Sequence, residues 1–393
     1  MQYNFDEIID RSNTQAMKCD YLPEKAPEGT LPLWVADMDF PCAQPIIDAL
    51  HQRVDRLIYG YSFYHSMEVK QPVVDWFKRR FDWEINPNEM FFSPGVVPAM
   101  SFLLHALTEP GDGVIIQRPV YYPFTNQLLA RGCQIANNAL IYEDGKYSID
   151  FADLEEKMAD PNNKGMILCS PHNPVGRVWK PEELKQIVAI AQKYDKWIIS
   201  DEIHCDLIRG GHQHYPLFKL CPEYSHRIIA CTAPSKTFNI AGLQMSNIII
   251  PNPEYQAGFM KCAYGEFSIA SATPFGITAM MAAYTEGEEW LNQVNTYIDG
   301  NVDFVREFLK ENLPKAHMVE PEGTYLLWID LREYCSDAKE LERLVLEEAG
   351  VALDEGYIFG EEGAGFERIN IACSRLILKD CMERIAQVLQ KLA

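Results

Sequence analysis

Basic residues are scarce in this sequence. Its 393 residues hold 35 Lys and Arg against 56 Asp and Glu, a formal net charge of −21. A chain of that sign repels nucleic acid and anionic membrane as bulk partners, although a local pocket can still take a small anion. The 11 cysteines contain no C-x-x-C pair, and their count is odd. That counts against a zinc ribbon or a thioredoxin-like site and favours a reducing, cytoplasmic setting. No apolar run approaches the ~20 residues of a membrane helix. No G-x-G-x-x-G opens a helix, so a dinucleotide reading lacks its phosphate fingerprint. Internal repeats, low-complexity runs and linkers are missing. The first residues, Met1-Gln-Tyr-Asn-Phe-Asp, are mixed and acidic, so no secretory leader is expected.

What is present is an ordinary globular balance, with 47% hydrophobic and 23% charged residues. The length suits two domains or one large domain with a satellite. Residues 1–30 read as an arm with little structure of its own. A short strand is expected over Leu33 to Phe40, closed by Pro41. Helical spacing covers Gln44 to Leu57 and Val69 to Phe81. From Met90 onward apolar strands alternate with helices at 25–35-residue intervals, and polar residues collect at the carboxyl ends of the strands. That rhythm predicts an α/β fold with a mostly parallel sheet and ligands beyond its strand ends. A long helix is expected over 286–310. The tail holds a strand at Thr324 to Asp330, a helix at Ala338 to Ala349, and a last helix from Lys379 to Leu392.

Three strand-end motifs carry the chemistry. Arg227-Ile-Ile-Ala-Cys-Thr is an apolar, β-branched run followed by Thr232-Ala-Pro-Ser-Lys-Thr-Phe-Asn-Ile-Ala-Gly242, which presents Ser235 and Lys236 in a turn. Upstream stand Asn173-Pro-Val-Gly176 and Ser200-Asp-Glu-Ile-His204. A lone lysine is ordinarily solvated surface, and Asp201 alone reads as a strand-end cap. Phe91-Phe-Ser-Pro-Gly-Val-Val97 is strand, turn, then helix, where freed N–H groups make an anion site. Val96 and Val97 lack donor side chains, so any contact there is main-chain. Arg368 opens an apolar strand, where it either snorkels or meets an anion. His204, His212 and His214 offer no i, i+4 pair with a supporting carboxylate, which leaves a metal reading weak.

Together these motifs resemble the fold-type I, pyridoxal-phosphate-dependent aminotransferase superfamily, class I/II. Their wording is most similar to its MalY/PatB-type cystathionine β-lyase branch, with the cystalysin-like C–S lyases. The resemblance implies a large domain holding a mostly parallel seven-stranded sheet, plus a smaller α+β domain. The implied boundaries are an arm and joining segment at 1–45, a cofactor domain at 46–285 and a small domain at 286–393. It implies pyridoxal 5'-phosphate bound covalently by Lys236, with Asp201 on the ring nitrogen and Tyr121 on the ring face. Asn173 and His204 take the phenolic oxygen, and Ser235 with the amides of Val96 and Val97 takes the phosphate. Arg368 and Asn173 grip the substrate carboxylate, with backbone near Ala36 and the Tyr122 side chain close by. Tyr61 reaches the phosphate of the other subunit, so the implied assembly is a homodimer with shared active sites. Two positions depart from the aspartate-aminotransferase pattern: Gln244 stands for a phosphate-binding Arg, and Ala233 for a Ser. The implied reaction is α,β-elimination from cystathionine or a related cysteine S-conjugate, giving thiol, pyruvate and ammonia. An aminotransferase on the same site is the alternative. A scaffold that binds and modulates a transcription regulator is the alternative of another class.

Overall fold

The computed structural model describes residues 1–392. Its centre is a seven-stranded sheet. In spatial order the strands are Met90–Ser93, Ser246–Ile249, Ile228–Thr232, Trp197–Asp201, Asn163–Cys169, Gly113–Ile116 and Gln134–Asn137. Ser246–Ile249 runs antiparallel to both neighbours, and the other ladders are parallel. The strands read as continuous apolar runs because both faces are covered, as parallel sheets require. The side-chain period of two then splits them cleanly. Ile115, Met166, Leu168, Ile198 and Ala230 join one buried cluster. Val114, Ile116, Ile167, Cys169, Ile199, Ile229 and Cys231 join the other, with the helices Val96–Leu107 and Tyr122–Arg131 packed over them.

The first cluster continues into the C-terminal part, through Trp328, Ile369 and Ile385. There the helix Glu288–Asn312 leads to a four-stranded sheet of His317–Met318, Leu326–Asp330, Phe366–Asn370 and Asp354–Glu355. The last helix runs Arg375–Leu389, four residues earlier than expected, because the Ser374 hydroxyl accepts from the Leu376 amide and caps it. The expected helix over Ala338 to Ala349 turns from α to π at Leu344. Among the described residues no helix is long and apolar enough to cross a membrane.

One expected strand is absent. Only Leu31–Pro32 pairs, with Val351–Ala352, and Trp34 to Pro41 is irregular. Its carbonyls are taken by side chains instead. Asn370 Nδ2 donates to the carbonyls of Val35 (2.7 Å) and Asp37 (2.6 Å). Asn239 Nδ2 donates to Met38 and Phe40, both at 3.0 Å. Trp290 Nε1 donates to Pro41 at 3.1 Å. The carboxylates of Asp37 and Asp39 are drawn to Arg11 and to the fully buried Lys18. A ladder satisfies backbone groups without regard to side chain. Here that demand is met residue by residue, and the N-terminal arm is fastened to the resulting strap.

Candidate active site

Where the chain leaves the strand Gly113–Ile116, the sheet order reverses: the next strand lies on one side of it and the following one on the other. Crevices open at such switch points, beyond the carboxyl ends of the strands. A cavity of about 170 Å³ lies there, lined among others by Ala36, Val96, Val97, Tyr121, Asn173 and Asp201. His204, Ser235 and Lys236 complete the wall that concerns the chemistry. Five strand ends and the strap thus meet at one void.

Asp201 ends its strand in register with Cys169 on one side and Cys231 on the other. Its flanks are thiols, and its one amide donor is Ile203 N–H at 3.1 Å. Burial pushes its carboxyl up to about 7; the Ile203 bond opposes the shift, Glu202 adds to it, and Lys236 opposes it. Ser200 and Glu202 face the other way. Glu202 accepts from Ser200 Oγ at 2.9 Å and is 3.0 Å from His214 Nε2.

Lys236 lies in the short helix Pro234–Thr237, and its amine donates to the Ala36 carbonyl at 2.7 Å. Burial lowers it to about 8, with Arg368 adding to the fall and Asp37 and Asp201 opposing it. Part of this side chain stays accessible through the cavity it lines. His204 is drawn down to about 3, first by burial and then by the charges of Lys236 and Arg368. It is therefore a neutral imidazole at neutral pH, and its buried Nδ1 has no partner. Burial also raises the phenol of Tyr121.

The helix Val96–Leu107 begins at the cavity with no side-chain cap. The amides of its first turn lack intrahelical acceptors and carry the positive end of the dipole. Asn173 leads into a loop that Gly176 closes at φ +73°, where a Cβ would also press on Pro321 Cα at 3.3 Å. Arg368 stands behind Asn173. Nη1 donates to Asn173 Oδ1 at 3.2 Å, Nη2 donates to the Trp34 carbonyl at 2.9 Å, and Asp354 makes a buried ion pair with Nη2. Its Nε has no partner.

Other residues named from the sequence stand further off. Tyr122 packs on Tyr121 and Phe359 outside the lining. Tyr61 is fully exposed, in a run with exposed Leu57, Ile58 and Phe63. Gln244 is exposed with φ +53°, and Ala233 is buried. His212 is exposed and His214 is bound to Glu202. Among the described residues no group of three His, Cys, Asp or Glu is spaced to hold a metal. Asp354 and Tyr325 were not singled out from the sequence. Asp354 meets Arg368 through strand register, a pairing that no local pattern displays. Tyr325 looks like one more core aromatic in an apolar run.

Comparison with known proteins agrees with this architecture. Residues 31–385 match the family model "Aminotransferase class I and II". Cystathionine beta-lyase PatB of Bacillus subtilis (strain 168) is 41% identical over 387 residues, covering 98% of this chain and all of the relative. The crystal structure of cystalysin from Treponema denticola, which contains a pyridoxal 5'-phosphate cofactor, superposes with a TM-score of 0.96 at 39% identity and full coverage of both chains. A PLP-bound C-S lyase from Staphylococcus hominis gives 0.92 at 36% identity, covering 99% of this chain and 98% of the other. This chain belongs to the aminotransferase class I and II family and has the fold-type I architecture.

Proposed function

We propose that the chain is a pyridoxal-phosphate-dependent carbon–sulfur β-lyase acting on cystathionine or related cysteine S-conjugates. Substrate and water become thiol, pyruvate and ammonia; the Cβ–S bond breaks and there is no net oxidation. Full-length identity of 41% to a cystathionine β-lyase supports this reading. The observation that carries it is one cavity lined by Lys236, Asp201, Asn173, His204 and Ser235, in which burial lowers the amine and raises the carboxyl. Acid and base groups held near neutrality by burial are typical of sites that move protons.

The residues present fit the cofactor. An uncapped helix start beside Ser235 suits a phosphate. The orphaned His204 Nδ1 and Asn173 suit a ring oxygen, and the Tyr121 ring suits a stacking surface. Asp201 answers a protonated ring nitrogen, whose charge would restore its ionisation. Pyridoxal phosphate, when bound, supplies an electron-accepting ring conjugated to the substrate nitrogen. Lys236 anchors it, then takes the proton from the substrate Cα and returns one to the departing sulfur. Arg368, held by Asp354, and Asn173 orient the substrate carboxylate. Exposed Tyr61 in its apolar run supports a homodimer in which it reaches the phosphate of the other subunit. The free state of all eleven cysteines supports a cytoplasmic setting. The domain limits at 45/46 and 285/286 belong to the same reading.

The test is incubation of cofactor-loaded protein with L-cystathionine, first without and then with a keto acid. Thiol and pyruvate in equal amounts without keto acid are expected. Amino transfer that appears only with keto acid, and no pyruvate, would make the protein an aminotransferase.

A further inference from the structure

The carbonyl that receives the Lys236 amine has a second donor. The Tyr325 hydroxyl lies 2.9 Å from the same Ala36 oxygen, and this is the bond that satisfies an otherwise buried phenol. The ring stands edge-on to His204, centroids 6.1 Å apart. Its placement is local in origin. Thr324 takes φ +69°, and its hydroxyl accepts from the Leu326 amide at 3.0 Å. That turn directs Tyr325 out of the small sheet toward the strap. The acceptor is fixed too: residues on both sides of Ala36 are held, Trp34 by Arg368 and Val35 and Asp37 by Asn370.

We infer that Tyr325 is a positioning residue for Lys236: by donating to the shared Ala36 carbonyl, it keeps the lysine amine in place and favours its neutral form. The inference deepens the proposed function and rests on it for its catalytic meaning. A carbonyl already donating electron density to a phenol is a weaker acceptor for an ammonium ion. The ammonium loses more from this than the amine does, since charge-assisted bonds are the stronger ones. The groups facing Lys236 are Arg368, which disfavours its charge, and Asp37 and Asp201, which favour it. His204 is neutral beside it, and burial keeps the Tyr325 and Tyr121 phenols protonated. Neither His204 nor Tyr121 donates to the shared oxygen, whose side-chain donors are Lys236 and Tyr325.

The test uses Tyr325→Phe, which removes one oxygen from a well-packed ring, and Tyr325→3-fluorotyrosine, a stronger donor of the same shape. In the cofactor-free full-length chain, the pH dependence of Lys236 acetylation by acetic anhydride is read by mass spectrometry. The midpoint is expected to rise by about one pH unit in Tyr325→Phe and to fall in the fluorinated chain. In the loaded protein, kcat at pH 7 is expected to drop roughly 5-fold in Tyr325→Phe, the size of one neutral hydrogen bond, with KM unchanged and recovery at higher pH. An unmoved acetylation midpoint in both chains would overturn the inference. A shifted midpoint in a protein that releases no pyruvate would keep the positioning role and remove the lyase.

Discussion

On the sheet side of the cavity, Asp201, Asn173, His204, Ser235 and Lys236 all lie at or within a few residues of the ends of strands fixed by ladder bonds. On the strap side, Trp34 to Pro41 pairs with no strand, and the side chains of Arg368, Asn370, Tyr325, Asn239 and Trp290 donate to its carbonyls. The sheet side fixes reactive groups through an architecture that tolerates many side chains. The strap side reaches comparable definition through specific polar side chains, each replaceable only by a group of the same reach and donor count. Under the proposed function, proton transfer falls to the sheet side, and the strap side aligns the lysine amine.

That contrast sets a ranking of expected effects. Lys236→Ala removes the proton-moving group, so lyase turnover should fall by about 10²–10⁴-fold or more with the fold intact, checked by pyruvate release and circular dichroism. Asp201→Asn keeps the shape and removes the charge, and a loss of about 10²–10³-fold in kcat is expected. On the strap side the larger effects should fall on stability. Arg368→Ala leaves Asp354 buried without its partner, which should cost about 3–5 kcal/mol in denaturant unfolding. Adding Asp354→Asn should recover part of it. Asn370→Ala removes a side-chain donor from each of two strap carbonyls, leaving Val35 with the Asp37 amide and Asp37 with Lys18, and should cost about 1–3 kcal/mol, with a smaller loss of turnover than either sheet-side variant. If Asn370→Ala matched Lys236→Ala in turnover with stability unchanged, the division between the walls would fail.

A separate expected effect is one of pH. Burial raises Asp201 to about 7 from the 3.8 of an ordinary aspartate. In the cofactor-free chain the fold therefore binds this proton more tightly than the unfolded chain does. The resulting stability is full below about pH 4 and is lost as pH rises through about 7. Asp201→Asn should flatten that part of the stability profile, as measured by thermal unfolding across pH 4–8.

Most of the fold was legible because parallel strands buried on both faces must be apolar throughout, and turns and helix starts punctuate them. Lys236, Asp201 and Asn173 were legible for the same reason: polar residues directly after such strands have few structural excuses. The strap was misread as a strand because Leu33-Trp-Val-Ala carries strand-forming residues, while the side chains that displace its ladder lie about 200 to 335 positions away. Asp354 and Tyr325 were invisible for a related reason. Their roles come from register and from one carbonyl contact, and both are long-range facts that leave no local pattern.

The most direct test compares the native protein with Lys236→Ala, each loaded with pyridoxal phosphate and given L-cystathionine without any keto acid. The account predicts thiol and pyruvate in equal amounts from the native protein and neither from the variant. Pyruvate at undiminished rate from Lys236→Ala would contradict it, because the amine that this site is built around would then have no part in the reaction.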